Sequence, residues 1–238
     1  MISACVAVYR SHGAPNIATL AESIPTALGN RPGELIVALN GIDARAAGLP
    51  SGARTVSLPV NTGVAPGWNS AGRAATGDYL CFVNDDAVLG ERSLQFLADA
   101  LEADLATGVA SPGGSYWDID AGRHRSFVDA GSLDPGETVE CDSAVGYLFM
   151  TRRETWERLD GFDEAYAPAS FEEVDYCVAA KRTLGLKTVT VGGIGVDHDF
   201  QISARRHHLR TIQWSGKSER LFRIHRRNRA HFRAKWSR

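Results

Sequence analysis

Three short segments carry residues whose chemistry goes beyond packing. Residues 80–86 read LCFVNDD, an apolar run that ends in an amide and two carboxylates. Residues 171–175 read FEEVD, and residues 196–199 read VDHD. Oxygen ligands suit Mg²⁺ and Mn²⁺, and a carboxylate in a cleft can accept a proton from an attacking hydroxyl. The sequence therefore holds the residue types of a metal-assisted reaction, at three places far apart along the chain.

The first segment allows two interpretations. Asp85 and Asp86 follow an apolar run that predicts a buried strand. There they could bind a divalent ion, or they could form a polar turn and a cap for the helical pattern that follows. Residues 84–86 alone leave both interpretations open.

The other two segments also have a structural alternative. Glu172, Glu173 and Asp175 stand near the start of a predicted helix, where acids complement the helix dipole. The preceding loop, YAPASF, could line a cleft and make one of these carboxylates a general base. His198 follows a strand pattern, and an adjacent acid could orient its ring. A lone histidine is more often a surface or core residue.

Strand and helix patterns alternate through the first half of the chain. Strands are predicted over 3–9, 34–40, 54–59 and 78–84, and helices over 15–28, 63–76 and 91–104. Pro25 is expected to end or bend the first helix. After residue 109 the pattern loosens, and further strands are predicted over 144–151 and 186–193, with helices over 152–159 and 171–185. This alternation is typical of βαβ units, so the sequence predicts an α/β fold with a parallel sheet.

Polar residues fall at or just after the predicted strand ends. They are Tyr9, Arg10, Asn40, Asn61 and residues 84–86. Ligands of open parallel sheets bind at the carboxyl ends of the strands. We therefore expect these residues to share one functional edge.

Composition and charge narrow the class of protein. The 238 residues are 44% hydrophobic, enough for one sizeable domain. No run approaches a membrane span, and the start lacks the basic segment of a signal peptide. The four cysteines form no C-x-x-C pair, which favours buried thiols in a reducing cytoplasm. We expect a cytoplasmic protein, with contact at the inner face of the membrane left open.

The C-terminal segment differs in charge from the rest. Residues 204–238 hold twelve Lys and Arg and one acid, whereas residues 1–203 hold fourteen basic and twenty-seven acidic groups. Such a basic tail is expected to meet an anionic partner, which could be a membrane surface, a phosphate-bearing substrate or the body itself. Nucleic acid is not expected, because the rest of the surface is acidic.

Four ordered motifs resemble those of family 2 glycosyltransferases, especially the bacterial rhamnosyltransferase-like members. The segment VNTGVAPGWNSAGRAATGDYLCFVNDDA resembles the family's Asn-x-Gly and Ala-x-Gly-Asp-Tyr block, which leads into its D-x-D-type motif. LDGFDEAYAPASFEEVDYCVAAKRTLG is similar to its Gly-Phe-Asp-Glu and Glu-Asp-Val-Asp-Leu segment. VDHDFQIS resembles its late His motif and RRNRAHFRAKW its Arg-Asn-rich tail. Together they cover nearly the whole chain.

The resemblance implies a fold and a domain organisation. It implies a single inverting GT-A domain over residues 1–203, with a Rossmann-like, mostly parallel central sheet flanked by helices. Residues 1–110 would bind the nucleotide sugar and residues 111–203 the acceptor. Residues 204–238 would form a basic C-terminal helical extension.

The resemblance also implies roles for individual residues. Asp86 and His198 would hold a divalent cation, Mg²⁺ or Mn²⁺. Glu173 matches the family's catalytic Asp, with Glu172 as a rival base and Asp175 beside them. Contacts to the nucleotide sugar are implied for Tyr9, Arg10, Asn40, Asn61, Gly63, Asn69, Asn84 and Asp85.

One position departs from the family pattern. Leu39 stands where the family usually has an Asp that contacts the uracil of UDP-sugars. Leucine cannot accept a hydrogen bond from a base. Either Asn40 substitutes or the donor is not UDP, which makes dTDP and GDP sugars more credible.

The implied reaction moves a sugar from a nucleotide-diphosphate sugar to a hydroxyl of a glycan, a lipid-linked acceptor or a natural product. Trp117, in a Gly-rich loop, is a candidate to stack against an acceptor sugar, although most tryptophans anchor the core. An inactive sugar-nucleotide-binding or anionic-ligand-binding module is the main alternative. A nucleotidyltransferase is less favoured, because YRSHGAPN offers little to cradle a triphosphate. The oligomeric state stays open, a homodimer included.

Overall fold

The computed structural model describes residues 1–9, 16–50, 52–198 and 211–237. Within these ranges the strands are β1 (Ile2–Val8), β2 (Gly33–Asn40), β3 (Arg54–Leu58), β4 (Tyr79–Val83), β5 (Ala87–Leu89), β6 (Thr107–Ser111), β7 (Gly114–Asp118), β8 (Arg123–Phe127), β9 (Thr138–Cys141), β10 (Ser143–Ala144), β11 (Leu148–Arg152), β12 (Lys187–Val191), β13 (Val196–His198), β14 (Thr211–Trp214) and β15 (Lys217–Arg220). The α-helices there are α1 (Ile17–Leu28), α2 (Ala44–Ala47), α3 (Val64–Ala74), α4 (Ser93–Ala103), α5 (Arg153–Arg158), α6 (Glu172–Leu184) and α7 (Leu221–Trp236).

Eight strands form the central sheet, in the order β3-β2-β1-β4-β11-β6-β12-β9. The first four in this order run parallel, and β11 lies antiparallel between β4 and β6. Strands β2 and β3 lie on one side of β1 and β4 lies on the other, so the winding direction reverses between β1 and β4. A crevice opens at the carboxyl ends of the strands at such a reversal. The predicted α/β fold with a mostly parallel sheet is confirmed.

Helices cover both faces of this sheet because its strands are apolar on both faces. In β4, Cys81 and Val83 face one layer and Leu80 and Phe82 the other, as the two-residue period of a strand requires. The first layer holds α1 and α4, and the second holds α3, α5 and α6. Strand β4 is therefore clamped from both sides, which fixes the position of the polar residues that follow it.

The structure confirms the predicted end of one helix and corrects one predicted strand. Helix α1 continues through Pro25 and ends at Leu28, as predicted. Proline in the last turn removes only one helical hydrogen bond. The strand predicted over 144–151 is interrupted, because β10 ends at Ala144 and β11 begins at Leu148. The interruption forms a loop, residues 145–147, that lies in the candidate site.

The loop between β3 and α3 packs against a second loop at Pro168. Gly63 adopts φ +102°, and the backbone N–H of Val64 donates to the Pro168 carbonyl at 2.8 Å. A Cβ on Gly63 would lie 2.6 Å from the Cα of Pro168. Only glycine fits both this backbone conformation and this close approach.

Gly63→Ala is therefore expected to destabilise the fold by about 2–4 kcal/mol, through left-handed strain and overpacking. Urea unfolding would measure it. Gly52→Ala is the matched control, because Gly52 also has φ of +95° but has nothing within 4 Å of its would-be Cβ. The control should lose only about 1 kcal/mol. Equal losses in the two variants would show that the contact with Pro168 is unimportant.

The C-terminal helix α7 docks on the body through an apolar and amide face. Phe232 is fully buried against Phe171 at 5.4 Å. The side-chain amide of Asn228 donates to the carbonyls of Tyr166, Ala169 and Ser170 at 2.6–2.9 Å. This helix therefore braces the loop that leads into α6. Within the described ranges, no helix combines the length and apolarity that a membrane crossing requires.

Candidate functional site

The end of β4 is fixed at the point where the winding direction of the sheet reverses. The backbone N–H of Asn84 donates to the Tyr147 carbonyl at 3.0 Å, and the Asn84 carbonyl accepts from the N–H of Ala87 at 3.3 Å. This turn leads directly into β5, which pairs antiparallel with β13 so that Ala87 lies opposite His198. The pairing brings together two segments more than a hundred residues apart in the chain.

The side chains of Asn84, Asp86 and His198 meet at this edge. The Nε2 atom of His198 lies 3.1 Å from Oδ1 of Asp86 and 3.2 Å from Nδ2 of Asn84. The ring of Tyr147 stacks on the imidazole, with a centroid separation of 4.8 Å and an interplanar angle of 19°. The His198 side chain is only 12% exposed. Stacking and burial therefore hold its Nε2 atom beside the carboxylate.

This donor set fits a divalent cation. Two ligands about 2.1 Å from an octahedral ion and at right angles to each other lie about 3 Å apart, close to the 3.1 Å between Asp86 and His198. Among the residues that the structure describes, no group of three His, Cys, Asp or Glu side chains is placed to hold a metal. Two protein ligands suit Mg²⁺ or Mn²⁺, which commonly complete their shells with phosphate oxygens and water.

A pair of carboxyl groups lies at the start of α6. Glu172 is 6% exposed, and its Oε2 atom has no hydrogen-bond partner within the described part of the chain. Burial, reinforced by the neighbouring Glu173, raises the pKa of Glu172 well above its ordinary value. Burial also raises the pKa of Glu173. Because the two carboxyl groups interact, the pKa at which the first proton dissociates describes the pair and not one residue.

The loop at residues 145–147 connects the two clusters. A Cβ added at Gly146 would lie 3.2 Å from the carboxyl Cδ of Glu173, and the next residue, Tyr147, stacks on His198. Consecutive Cα atoms are about 3.8 Å apart. The carboxyl pair and the histidine therefore flank the same short piece of backbone. Sequence reasoning missed Gly146 and Tyr147, and the Gly-Tyr pair inside an apolar run was the available signal.

Asp175 does not share this environment. Its Oδ1 accepts hydrogen bonds from the Tyr166 hydroxyl at 2.8 Å and from the Trp236 indole at 2.6 Å, and its Oδ2 accepts from Lys235 at 2.8 Å. Residues two apart in a helix point in nearly opposite directions. Asp175 thus faces away from Glu173 and ties α6 to the end of α7.

Two predicted nucleotide contacts, Asn40 and Asn69, are buried and engaged in the scaffold. The Asn40 amide donates to the Gly63 carbonyl at 2.8 Å, and its Oδ1 accepts from the N–H of Thr62 at 2.7 Å. Asn69 donates to the Phe162 carbonyl at 2.9 Å and accepts from the same residue's N–H at 2.8 Å. Asn40 shapes the loop at residues 61–63, and Asn69 anchors the segment before α6. Neither side chain is hydrogen-bonded to Asn84, Asp86 or His198, which we call the metal-type cluster.

Asn61 contacts the C-terminal hairpin formed by β14 and β15. Its side-chain amide donates to the Gln213 carbonyl at 2.8 Å, and its own carbonyl accepts from the N–H of Ser215 at 2.7 Å. Tyr9, directly after β1, is 40% exposed. Asp85 lies in the turn between β4 and β5. Arg10 lies outside the described residues.

Trp117 lies at the other end of the site. Its indole donates to Oγ of Ser115 at 2.8 Å, and its ring meets Phe171 edge-on at 5.7 Å. Phe171 directly precedes the carboxyl pair. Trp117 therefore contacts the residue that precedes Glu172 in the chain.

The raised pKa of Glu172 predicts a pH-dependent cost to stability. A carboxyl whose folded pKa is raised contributes most stability below its unfolded pKa and loses it as the pH rises toward the folded value. Glu172→Gln cannot ionise, so it should be more stable than the wild type by about 1–3 kcal/mol at pH 7.5 and lose that advantage near pH 4.

Urea unfolding at the two pH values would measure this difference. Glu22→Gln, at an exposed position on α1, serves as control and should match the wild type at both. A pH-independent difference in Glu172→Gln would contradict the burial of an ionisable group.

Several solved structures share this fold. GalNAc-T7 with UDP, GalNAc and Mn²⁺ aligns with a TM-score of 0.63 and 13% identity, over 82% of this chain and 43% of that one. The mannosyltransferase PcManGT from Pyrobaculum calidifontis, in complex with GDP-Man and Mn²⁺, aligns with a TM-score of 0.55 and 22% identity, over 81% and 55%. TarS residues 1–349 from S. aureus, with UDP, aligns with a TM-score of 0.56 and 18% identity, over 79% and 57%.

These alignments confirm the GT-A-like fold, and this chain spans about half the length of each of those proteins. No curated protein sequence matches the chain. The model of the family "Glycosyl transferase family 2" matches residues 40–159, half of the chain, and includes β4 and the turn with Asp86. The chain belongs to glycosyl transferase family 2.

Proposed function

We propose that this protein transfers a sugar from a nucleotide-diphosphate sugar to an acceptor hydroxyl, by a metal-dependent single displacement that inverts the anomeric centre. The observation that carries the proposal is the meeting of Asp86 and His198 at 3.1 Å. Tyr147 stacks on His198, and the preceding residue, Gly146, lies beside the carboxyl group of Glu173. One cluster suits a diphosphate-bound cation and the other suits a base.

In this proposal Asp86 and His198 hold the divalent ion, with Asn84 beside them. The ion would neutralise the charge that develops on the departing diphosphate. Tyr147 keeps the imidazole in place by stacking, and burial keeps bulk water away from it.

Glu173 is the proposed general base. It is only half-buried, whereas Glu172 is almost fully buried, so ionisation of the coupled pair costs less at Glu173. Glu172 would hold its proton and leave a single negative charge at Glu173. That charge can accept the acceptor's hydroxyl proton as the oxygen attacks the anomeric carbon. Asp175, which is saturated by structural hydrogen bonds, would act only by supporting α6.

The nucleotide would lie at the carboxyl ends of β1 and β4, with Tyr9 and the loop at 61–63 beside it. Leu39 is 3% exposed and packed in the core, so it can make no hydrogen bond to the nucleobase of the donor. Asn40 is committed to the loop. Recognition of the nucleobase would therefore differ from the contact between uracil and a carboxylate that is usual in the family. For this reason we keep dTDP and GDP sugars, including those of rhamnose, as candidate donors alongside UDP sugars. Residues 1–110 would bind the donor, residues 111–203 would bind the acceptor, and residues 204–238 would form a basic C-terminal extension.

A panel of donors tests the proposal. UDP, dTDP and GDP sugars would each be added to the protein with and without Mn²⁺, and the melting temperature followed, because a ligand of the native state raises it. We expect one nucleotide class to give a Mn²⁺-dependent rise, and that donor to support transfer. A folded protein that responds to no donor would contradict the proposal.

A further inference from the structure

The hairpin of β7 and β8 carries a strip of aromatic rings on one face. Trp117 pairs across the strands with His124, and Ser115 pairs with Phe127. The ring of His124 lies 5.9 Å from Trp117 and 4.3 Å from Phe127. Phe127 is 72% exposed, the kind of large apolar surface that often marks a binding site.

A β-bulge produces this alignment. The register shifts between Tyr116 and Trp117, which leaves Arg125 as an extra residue in β8. In a regular strand residues three apart would point to opposite faces. The bulge brings His124 and Phe127 to the same face, and bulges re-aim side chains in this way beside functional sites.

The strip leads towards the start of α6. Its inner end is Trp117, whose ring meets Phe171 at 5.7 Å, and Phe171 is followed directly by Glu172 and Glu173. Its outer end is the exposed ring of Phe127. A molecule lying along the strip would have one end towards the start of α6, where Glu172 and Glu173 lie, and the other in solvent.

The composition of the strip favours a carbohydrate. The three rings contact one another in the order Trp117, His124, Phe127, and the residues next to them in β8, Arg123, Arg125 and Ser126, are exposed and polar. Sugar rings present apolar C–H faces that pack on aromatic rings and hydroxyl edges that accept and donate hydrogen bonds at a polar border. A protein partner would need a wider apolar patch.

We propose that the strip of Trp117, His124 and Phe127 is an acceptor subsite that binds the sugar rings of an oligosaccharide chain, with the reacting hydroxyl at Glu173. This rests on the proposed transfer reaction and narrows the acceptor class to a glycan of more than one ring. The inner ring packs near Trp117 and the outer ring on Phe127.

A printed array of oligosaccharides would identify glycans that bind the protein, and calorimetry would give the affinity of the strongest. Phe127→Ala and His124→Ala should each lower the affinity for that glycan at least fivefold. Phe222→Ala, which removes an exposed phenylalanine from α7, is the matched control and should bind like the wild type. All three side chains are exposed, so melting temperatures should not change.

The Mn²⁺-dependent donor response separates this inference from the proposed function. Phe127→Ala should keep it in full. If the wild type responds to a donor but binds no oligosaccharide, the proposed subsite is wrong and the proposed transfer reaction is unaffected. The same conclusion holds if Phe127→Ala binds the oligosaccharide as tightly as the wild type. A protein that responds to neither donor nor glycan overturns both.

Discussion

Asp86→Ala is expected to lower kcat for sugar transfer about a thousandfold and to abolish the Mn²⁺-dependent rise in melting temperature. The carboxylate lies 3.1 Å from Nε2 of His198, and these two are the proposed ion ligands. Without Asp86 the ion keeps one protein ligand, and the charge on the departing diphosphate is left without its main counter-charge. Steady-state kinetics with the identified donor would measure kcat.

Asp197→Ala is the matched control for this experiment. Asp197 is the neighbour of His198 in β13, and because residues alternate along a strand its exposed side chain points away from Asp86. It should retain wild-type kcat and the full response to Mn²⁺. His198→Ala should resemble Asp86→Ala. Wild-type activity in Asp86→Ala would remove the proposed metal site.

Glu173→Gln is expected to lower kcat by a factor of about 10²–10⁴, the usual contribution of a general base. Donor binding should survive, because the metal-type cluster lies on the other side of the loop at residues 145–147. Gln keeps the shape of the side chain against Gly146 and removes only its basicity. Single-turnover rates and donor affinity, measured on the same preparation, would separate the two effects.

Glu172→Gln is the isosteric comparison, and it should retain much more activity than Glu173→Gln. In the wild type, activity should fall as the pH drops through the raised pKa of the pair, because the base is then protonated. Burial raises the pKa of Glu173, and Glu172 is neutral while Glu173 ionises, so Glu172→Gln should leave the midpoint of this fall at the same pH. If Glu172→Gln were the inactive variant and Glu173→Gln the active one, the two roles would be exchanged.

The sequence by itself determined the fold class and the order of the elements. Apolar runs of strand length alternate with amphipathic helices along the chain. This pattern arises because helices pack on both faces of the sheet, so the strands are apolar on both faces. The position of Asn84 directly after a buried run also placed it at the ligand edge. Such inferences depend on near neighbours in the chain, and the structure agrees with them.

Only the tertiary structure decided which polar residues meet. Strand pairing between β5 and β13 puts His198 beside Asp86, a contact across more than a hundred residues that no local pattern specifies. Asn40 and Asn69 fall near the predicted edge in sequence, yet each is engaged with backbone groups that only folding brings near. A buried amide must have its hydrogen bonds satisfied.

The same reason separates the three acids of α6. Local sequence places Glu172, Glu173 and Asp175 on one turn, and helix geometry then points Glu173 and Asp175 in nearly opposite directions. What each direction contains depends on distant segments: Gly146 beside Glu173, and Lys235 with Trp236 at Asp175. The sequence showed the charge and type of each acid, whereas its burial and hydrogen-bond partners, which set its role, came from packing between distant segments.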